Sequence, residues 1–305
     1  MQNESNSIVN SQLRQIFHGA DMADLPAMSG NVQELLSLTG NGRAAAQDLS
    51  EVILRDYSLT NKVLRVVNSA YYGMPKNINN VTRAVTILGF DVIRETASAI
   101  ALFEDFAATG MDKDGVSKVL TRSLLSGLQA KILVIEKKIA VDPEEAFICG
   151  LLHNLGKIVV QVYLPELYEE IELRIRASFS VEAAAREVLH GLSFQDVGQE
   201  MARIWNLSPK LIAAMTPYPP GPTGPDDAEA YLQNVSAFTN NLTDRICSDQ
   251  GIVKLLKEYK GVLDISRDDA ITLVRKSVEL AEEFSGTVRT GLYKLRIQHR
   301  LSKLS

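Results

Sequence analysis

The densest chemistry in the sequence lies in Gly150-Leu151-Leu152-His153-Asn154-Leu155-Gly156-Lys157. An imidazole, a carboxamide and an ammonium stand close together in an otherwise apolar run, and side chains from one helix turn would point into a common cavity. An imidazole can ligate a divalent ion or relay a proton, whereas an amide oxygen lends only a neutral donor. The run is not a phosphate loop. Ile158 stands where a magnesium-holding Ser or Thr is needed, and no strand is expected before it. Gly40-Asn41-Gly42-Arg43 lacks the third glycine and the strand-helix-strand setting of a dinucleotide fingerprint, and reads as a turn between helices. Three other histidines, His18, His190 and His299, fall in a polar N-terminal stretch, ahead of a helix-ending Gly191 and in a basic tail. Those are surface or structural positions, so no Ser-His-acid set is available for nucleophilic catalysis. On its own residues, His153 suits a hydrogen-bonded core position as well as a ligand contact, and Lys157 suits a solvated charge on the side of a helix.

The elements that would position these side chains are helices. Leu59, Val63, Val66, Val67 and Ala70 recur at helical spacing, as do Leu120, Leu124, Leu128, Ile132 and Ile135, and Tyr231, Val235, Phe238, Leu242 and Ile246. Alternation with period two is nearly absent. Asp142-Pro143 and Ser208-Pro209 read as helix starts, and Ser193 with Asp196 and Ser266 with Asp269 as capping boxes. The run Pro217 to Pro225, PYPPGPTGP, fits neither helix nor sheet and reads as an exposed connection. Ala107-Ala108-Thr109-Gly110 followed by Asp112-Lys113-Asp114-Gly115 reads as a flexible polar link between two helical lobes.

A chain of 305 residues with 46% hydrophobic content fills a real core, and its net charge of −5 without a Lys/Arg block argues against nucleic-acid binding through phosphates. Cys149 and Cys247 each border apolar stretches and read as buried thiols of a reducing compartment. The start MQNESNS lacks the basic and apolar regions of a secretion signal, and no window suits a membrane span. A cytoplasmic protein without membrane contact is expected.

Two separated blocks carry a family resemblance. The first holds Leu25-Pro26, Ile53, Asp56, Leu59, Thr60, Lys62-Val63-Leu64-Arg65 and Asn68-Ser69-Ala70-Tyr71-Tyr72-Gly73, continued by Ala84, Val85, Leu88 and Gly89. The second holds Glu145-Ala146-Phe147, Gly150 to His153, Gly156 and Lys157, then Glu187, Gly191, Val197, Gly198 and Trp205. In residue type, spacing and order, the stretch from about 20 to 245 resembles the HDOD (HD-related output domain) proteins of bacterial signalling, a branch of the HD superfamily. The resemblance implies an all-α, compact multi-helix protein. Residues 1–19 would be an N-terminal extension, 20–108 a family-specific helical lobe, 109–247 an HD-like lobe packed on it, and 248–305 a C-terminal helical segment.

In HD metallophosphohydrolases a neighbouring His and Asp, with further ligands from other helices, bind a divalent ion that activates water on a phosphoester. Here Asn154 replaces that Asp. Arg122 stands where the first family histidine precedes Ser123, and Phe194 where a histidine would follow Gly191. Thr216-Pro217-Tyr218 replaces a histidine pair, and the downstream aspartate falls at Asn240 or Asn241. On this alignment only His153 survives, so neither metal nor cofactor is expected. Arg122, His153, Asn154 and Lys157 become candidate ligand contacts of the former metal cavity. The leading expectation is a non-catalytic regulatory module acting through contact with a signalling protein. A sensor holding a nucleotide or cyclic dinucleotide in that cavity is the alternative, and a residual phosphohydrolase the third. The tail from Ser285, with Arg289, Lys294, Arg296, His299, Arg300 and Lys303 among Leu292, Leu295, Ile297, Leu301 and Leu304, reads first as a helix packing its leucines on the body with its basic residues outward, a partner or nucleic-acid contact being the second reading and membrane-surface binding the third.

Overall fold

The computed structural model describes residues 11–13, 16, 30–38, 43–68, 72, 78–205, 207, 209–216, 227–284 and 286–304. Among them every regular element is helical and none is a strand, as the 3.6-residue patterning requires. The first helices are α1 (Gly30–Ser37), α2 (Arg43–Leu54), α3 (Tyr57–Val67), α4 (Val81–Leu88) and α5 (Phe90–Thr109). Asp56 starts α3 by accepting from the amides of Ser58 and Leu59, and the helix buries Leu59, Val63, Val66 and Val67. α1 and α3 both pack on α5, and α2 lies against α4. Ala70, the turn at 40–42, the link 217–225, Ser208, Pro217, Tyr218, His18 and several residues of the first family block lie outside the described residues.

The expected flexible link is short and mostly helical. α5 runs through Thr109 and α6 (Lys113–Lys137) begins after only three intervening residues, with Asp112 accepting from the amide of Asp114. α6 is the axis of the molecule. It is buried almost all round from Val116 to Val134, and α7 (Pro143–Leu152), α13 (Ala228–Cys247), α15 (Arg267–Ala281) and α16 (Gly286–Lys294) all pack on it. Of its predicted stripe, Leu120, Leu124, Leu128 and Ile132 are buried, but Ile135 is half exposed at 50%. Its neighbours enclose α6 only as far as Val134, so the last turn projects into solvent.

Around this axis follow α8 (Leu155–Tyr163), α9 (Pro165–Arg176), α10 (Val181–Val188), α11 (Phe194–Ile204) and α12 (Pro209–Ala214). Asp142 caps α7 by accepting from the amide of Glu145, and both predicted capping boxes, at Ser193 and Ser266, are formed. Glycines let these helices touch at the backbone. A Cβ on Gly156 would lie 1.7 Å from the Phe194 carbonyl oxygen, which fixes α8 against α11. One on Gly150 would meet the Ser126 carbonyl at 2.9 Å, where α7 crosses α6.

The chain closes with α14 (Val253–Tyr259), α15, α16 and α17 (Ile297–Leu304). The basic tail is two helices broken at Arg296, whose φ is 50°. As expected it buries Leu292, Leu295, Ile297 and Leu301, and Val288 with them, while Lys303 pairs outward with Asp249 at 3.1 Å and Lys294 with Asp114. No single helix among the described residues is long and apolar enough to cross a membrane.

Candidate functional site

His153 and Asn154 do not share a helix turn. They form the turn between α7 and α8, whose axes bend by 43° there. Two adjacent side chains therefore diverge. The Nδ1 of His153 lies 3.1 Å from the Ala214 carbonyl oxygen at the end of α12, so it carries the proton and donates. Burial, reinforced by the nearby Lys157 ammonium and opposed by the Ala214 bond and by Asp244, lowers the pKa of His153 to about 4. The imidazole is neutral near pH 7.

Asn154 starts α8 without capping it through its side chain, which leaves the amide free to reach α13. Its Nδ2 donates to Asn240 Oδ1 at 2.5 Å, and Asn240 Nδ2 donates in turn to the carbonyls of Ser236 (2.8 Å) and Gly150 (3.0 Å). Of the two asparagines left open by the sequence, Asn240 therefore faces the cluster. Asn241 is exposed and donates to its own helix at Ala237.

One turn beyond Asn240 on α13 lies Asp244, a residue that sequence reasoning missed. Its carboxylate accepts from Lys157 Nζ at 2.8 Å and lies 3.8 Å from Arg122 on α6. Lys157 is thus not a solvated charge; its side chain is 19% exposed and tied across to α13. The spacing of four between Asn240 and Asp244 was the available signal. Burial works against the Asp244 charge, but Lys157 and Arg122 outweigh it and hold the carboxyl below its usual range. Arg122 has its Nε buried without a hydrogen-bond partner. Burial also opposes its charge, yet the facing Cys247, Asp244, Tyr168 and Glu172 raise the pKa of the guanidinium.

The remaining positions of the expected ligand set line the surroundings. The ring of Phe194 packs tilted against Tyr168, with centroids 5.9 Å apart. Thr216 Oγ1 accepts from Gln199 Nε2 at 3.0 Å. Both cysteines are buried and free; burial pushes the Cys149 thiol up to about 12 and the Cys247 thiol up to about 11. The arrangement joins α6, α8 and α13 through a carboxylate shared by two cations. Among the described residues no three His, Cys, Asp or Glu side chains are grouped as a bound cation would need.

Comparison with known proteins agrees with this architecture. An uncharacterized protein of Treponema pallidum (strain Nichols) is 22% identical over 218 residues, which are 71% of this chain and 42% of the relative, so the chain spans well under half of that protein. The crystal structure of an HDOD domain protein with unknown function from Geobacter sulfurreducens aligns with a TM-score of 0.63 at 20% identity over 97% of both chains. A candidate signal transduction protein from Marinobacter aquaeolei VT8 gives 0.65 at 20% identity, over 93% of this chain and 66% of that one. A candidate phosphohydrolase from Shewanella amazonensis SB2B gives 0.59 at 19% identity, over 93% and 94%. At such identities the likeness establishes the fold. The HDOD domain profile itself matches residues 25–218, most of the chain, and the chain therefore belongs to the HDOD domain family.

Proposed function

We propose that this chain is a non-catalytic, cytoplasmic regulatory module of a signalling pathway, acting through contact with a protein partner. Membership of the HDOD family and the signal-transduction description of the Marinobacter protein support the signalling role. The observation that carries the loss of catalysis is the ion pairing of Asp244. The one carboxylate of the cluster already faces two cations, Lys157 and Arg122, and Asn154 is committed to Asn240. These residues do not fit a divalent ion. His153 offers a single nitrogen, because Nδ1 is occupied by the Ala214 carbonyl, and a permanent guanidinium close to Asp244 repels a second cation.

The test is metal content together with hydrolysis of bis(p-nitrophenyl) phosphate by the full chain. Substoichiometric iron, manganese and zinc with no turnover is expected. Stoichiometric metal that is lost in His153→Ala would overturn the reading. One observation favours a second reading, a nucleotide sensor: the unpartnered Nε of Arg122 could serve an anionic group. A nucleotide present at a hundred times its dissociation constant stabilises the native state by about 2.7 kcal/mol, so a flat melting profile across nucleotides and cyclic dinucleotides retires it.

A further inference from the structure

A cleft of about 1020 Å³ separates α1 and α5 on one side from α7, the end of α11 and α12 on the other. None of Arg122, His153, Asn154 or Lys157 lines it. Polar helix faces form part of its walls, beside an apolar patch of Leu36, Ile148, Ile204, Leu207 and Leu211. On α1, Gly30, Gln33, Glu34 and Ser37 follow at the intervals of one face, and on α5, Asp91, Arg94, Glu95 and Ser98 repeat those intervals. Across from them stand Asp142 and Glu145 at the start of α7, with Lys210 on α12. Helix faces turned into a protein are apolar as a rule, so polar faces converging on shared space at a junction between helical layers mark a binding cavity rather than core.

The sign of the lining is decisive. Four carboxylates, from Glu34, Asp91, Asp142 and Glu145, line the open space with two cations, Arg94 and Lys210, while Glu95 beneath them is neutralised by Lys131 at 3.0 Å. Three of the acids are already steadied by ion pairs: Asp91 by Arg94 at 3.2 Å on α5, Glu145 by Lys210 of α12, and Glu34 by Arg55, which lies outside the cleft, at 2.9 Å. Among them Ser98 adds an independent mark. It is only 2% exposed, and its Oγ has no hydrogen-bond partner. A buried hydroxyl left unsatisfied is costly, and a ligand donor reaching it removes that cost.

We propose that the cleft binds an organic amine, a small molecule with one or more protonated nitrogens held by the wall carboxylates and donating an N–H to Ser98 Oγ. An ammonium presents donors only, which is what carboxylates and a free hydroxyl oxygen lack. Trp205, which also lines the cleft, offers an aromatic surface of the kind that attracts cations. A phosphate-bearing ligand would instead meet an excess of negative charge. The volume lies at the upper end for small-molecule pockets and admits a linear polyamine.

The test is calorimetric titration of the full chain with spermidine and putrescine, repeated on Ser98→Ala and on the double variant Glu34→Gln/Glu145→Gln. The two glutamates sit at the rim, 39% and 43% exposed, so the double variant is expected to melt like the parent. Saturable 1:1 binding of spermidine is expected. It should weaken about tenfold in either variant, the loss of one hydrogen bond to a charged group. A control pair on α15, exposed and outside the cleft lining, Asp268→Asn/Glu279→Gln, should leave the affinity unchanged. Absence of binding at millimolar amine overturns the proposal. So does binding that is equally strong in parent and cleft variants, which marks amine condensed on the acidic surface. If the double variant melts early, Ser98→Ala alone decides.

Discussion

The α7–α8 junction and the cleft beneath α5 both collect charged side chains, yet they use them differently. At the junction the charges pair across helices, Asp244 of α13 with Lys157 of α8 and Arg122 of α6. In the cleft the pairs run along each wall, as Asp91 to Arg94 on α5 or Glu145 to Lys210 between α7 and α12, and a cavity of about 1020 Å³ stays open between the walls. Charges that satisfy each other across a gap serve architecture, whereas charges satisfied on one side of it keep a wall polar and accessible. The position at which HD-type chemistry would be sought is thus the self-paired one, and the cleft that no motif announces is the open one.

The largest effect that would sharpen this contrast lies at the cleft floor. Glu95 and Lys131 join α5 to α6 through two contacts, at 3.0 and 3.2 Å, and both side chains are buried, 3% and 7% exposed. Lys131→Met leaves the carboxylate without its ammonium in a dry setting, and a loss of about 3–5 kcal/mol in chemical denaturation is expected. The double variant Glu95→Gln/Lys131→Met should recover most of it, because no unpaired charge then remains. A loss under about 1 kcal/mol for the single variant would mean that water reaches the pair and that the floor is part of the open cleft.

Much of this architecture was legible beforehand, for physical reasons that also explain the gaps. The helices and their caps at Ser193 and Ser266 follow from local rules, since periodicity and capping act within a few residues. The failures concern geometry between elements. The run is continuous in type and so suggests one helix turn for His153 and Asn154, but a 43° bend separates them, and Gly150 and Gly156 on either side of it meet other backbones that the local sequence does not announce. Asp244 escaped notice because an alignment looks for an acid at a fixed position, whereas a helix face supplies one a turn later. Lys157 was read as solvated because a single lysine carries no trace of the carboxylate opposite it. The cleft was invisible for the same reason: its three faces become one site only when α1, α5 and α7 are brought together.

Asp244→Asn tests the junction directly. The amide still accepts from Lys157 but leaves two cations facing each other. The carboxylate is 34% exposed, so solvent screening reduces the loss below that of a dry pair, to about 1–2 kcal/mol. Its folded pKa lies below the ordinary carboxylate value, so the unfolded state binds the proton more readily. The stabilisation is therefore present above about pH 4 and disappears as pH falls through the lowered folded value. Denaturation midpoints of parent and variant should converge in strong acid. If they stay apart there, Asp244 acts by packing and the junction is not held by charge.

The smallest effect separates the neutral imidazole from its charged neighbours. The folded pKa of His153 is about 4, below the 6.5 of a free imidazole, and the direction is that of a histidine held neutral. Between those values the unfolded chain takes up a proton that the folded chain refuses, so stability falls as pH falls, by at most about 1.4 kcal/mol per pH unit. The side chain is only half-buried, which brings the expected loss between pH 7 and pH 5 to about 1 kcal/mol. His153→Gln keeps a donor for the Ala214 carbonyl and has nothing to titrate, so its stability should be flat over that window while the parent's slopes. Parallel curves for the two proteins would mean that His153 protonates freely in the fold, as a solvent-facing residue would, and the cluster would then be as open as the cleft.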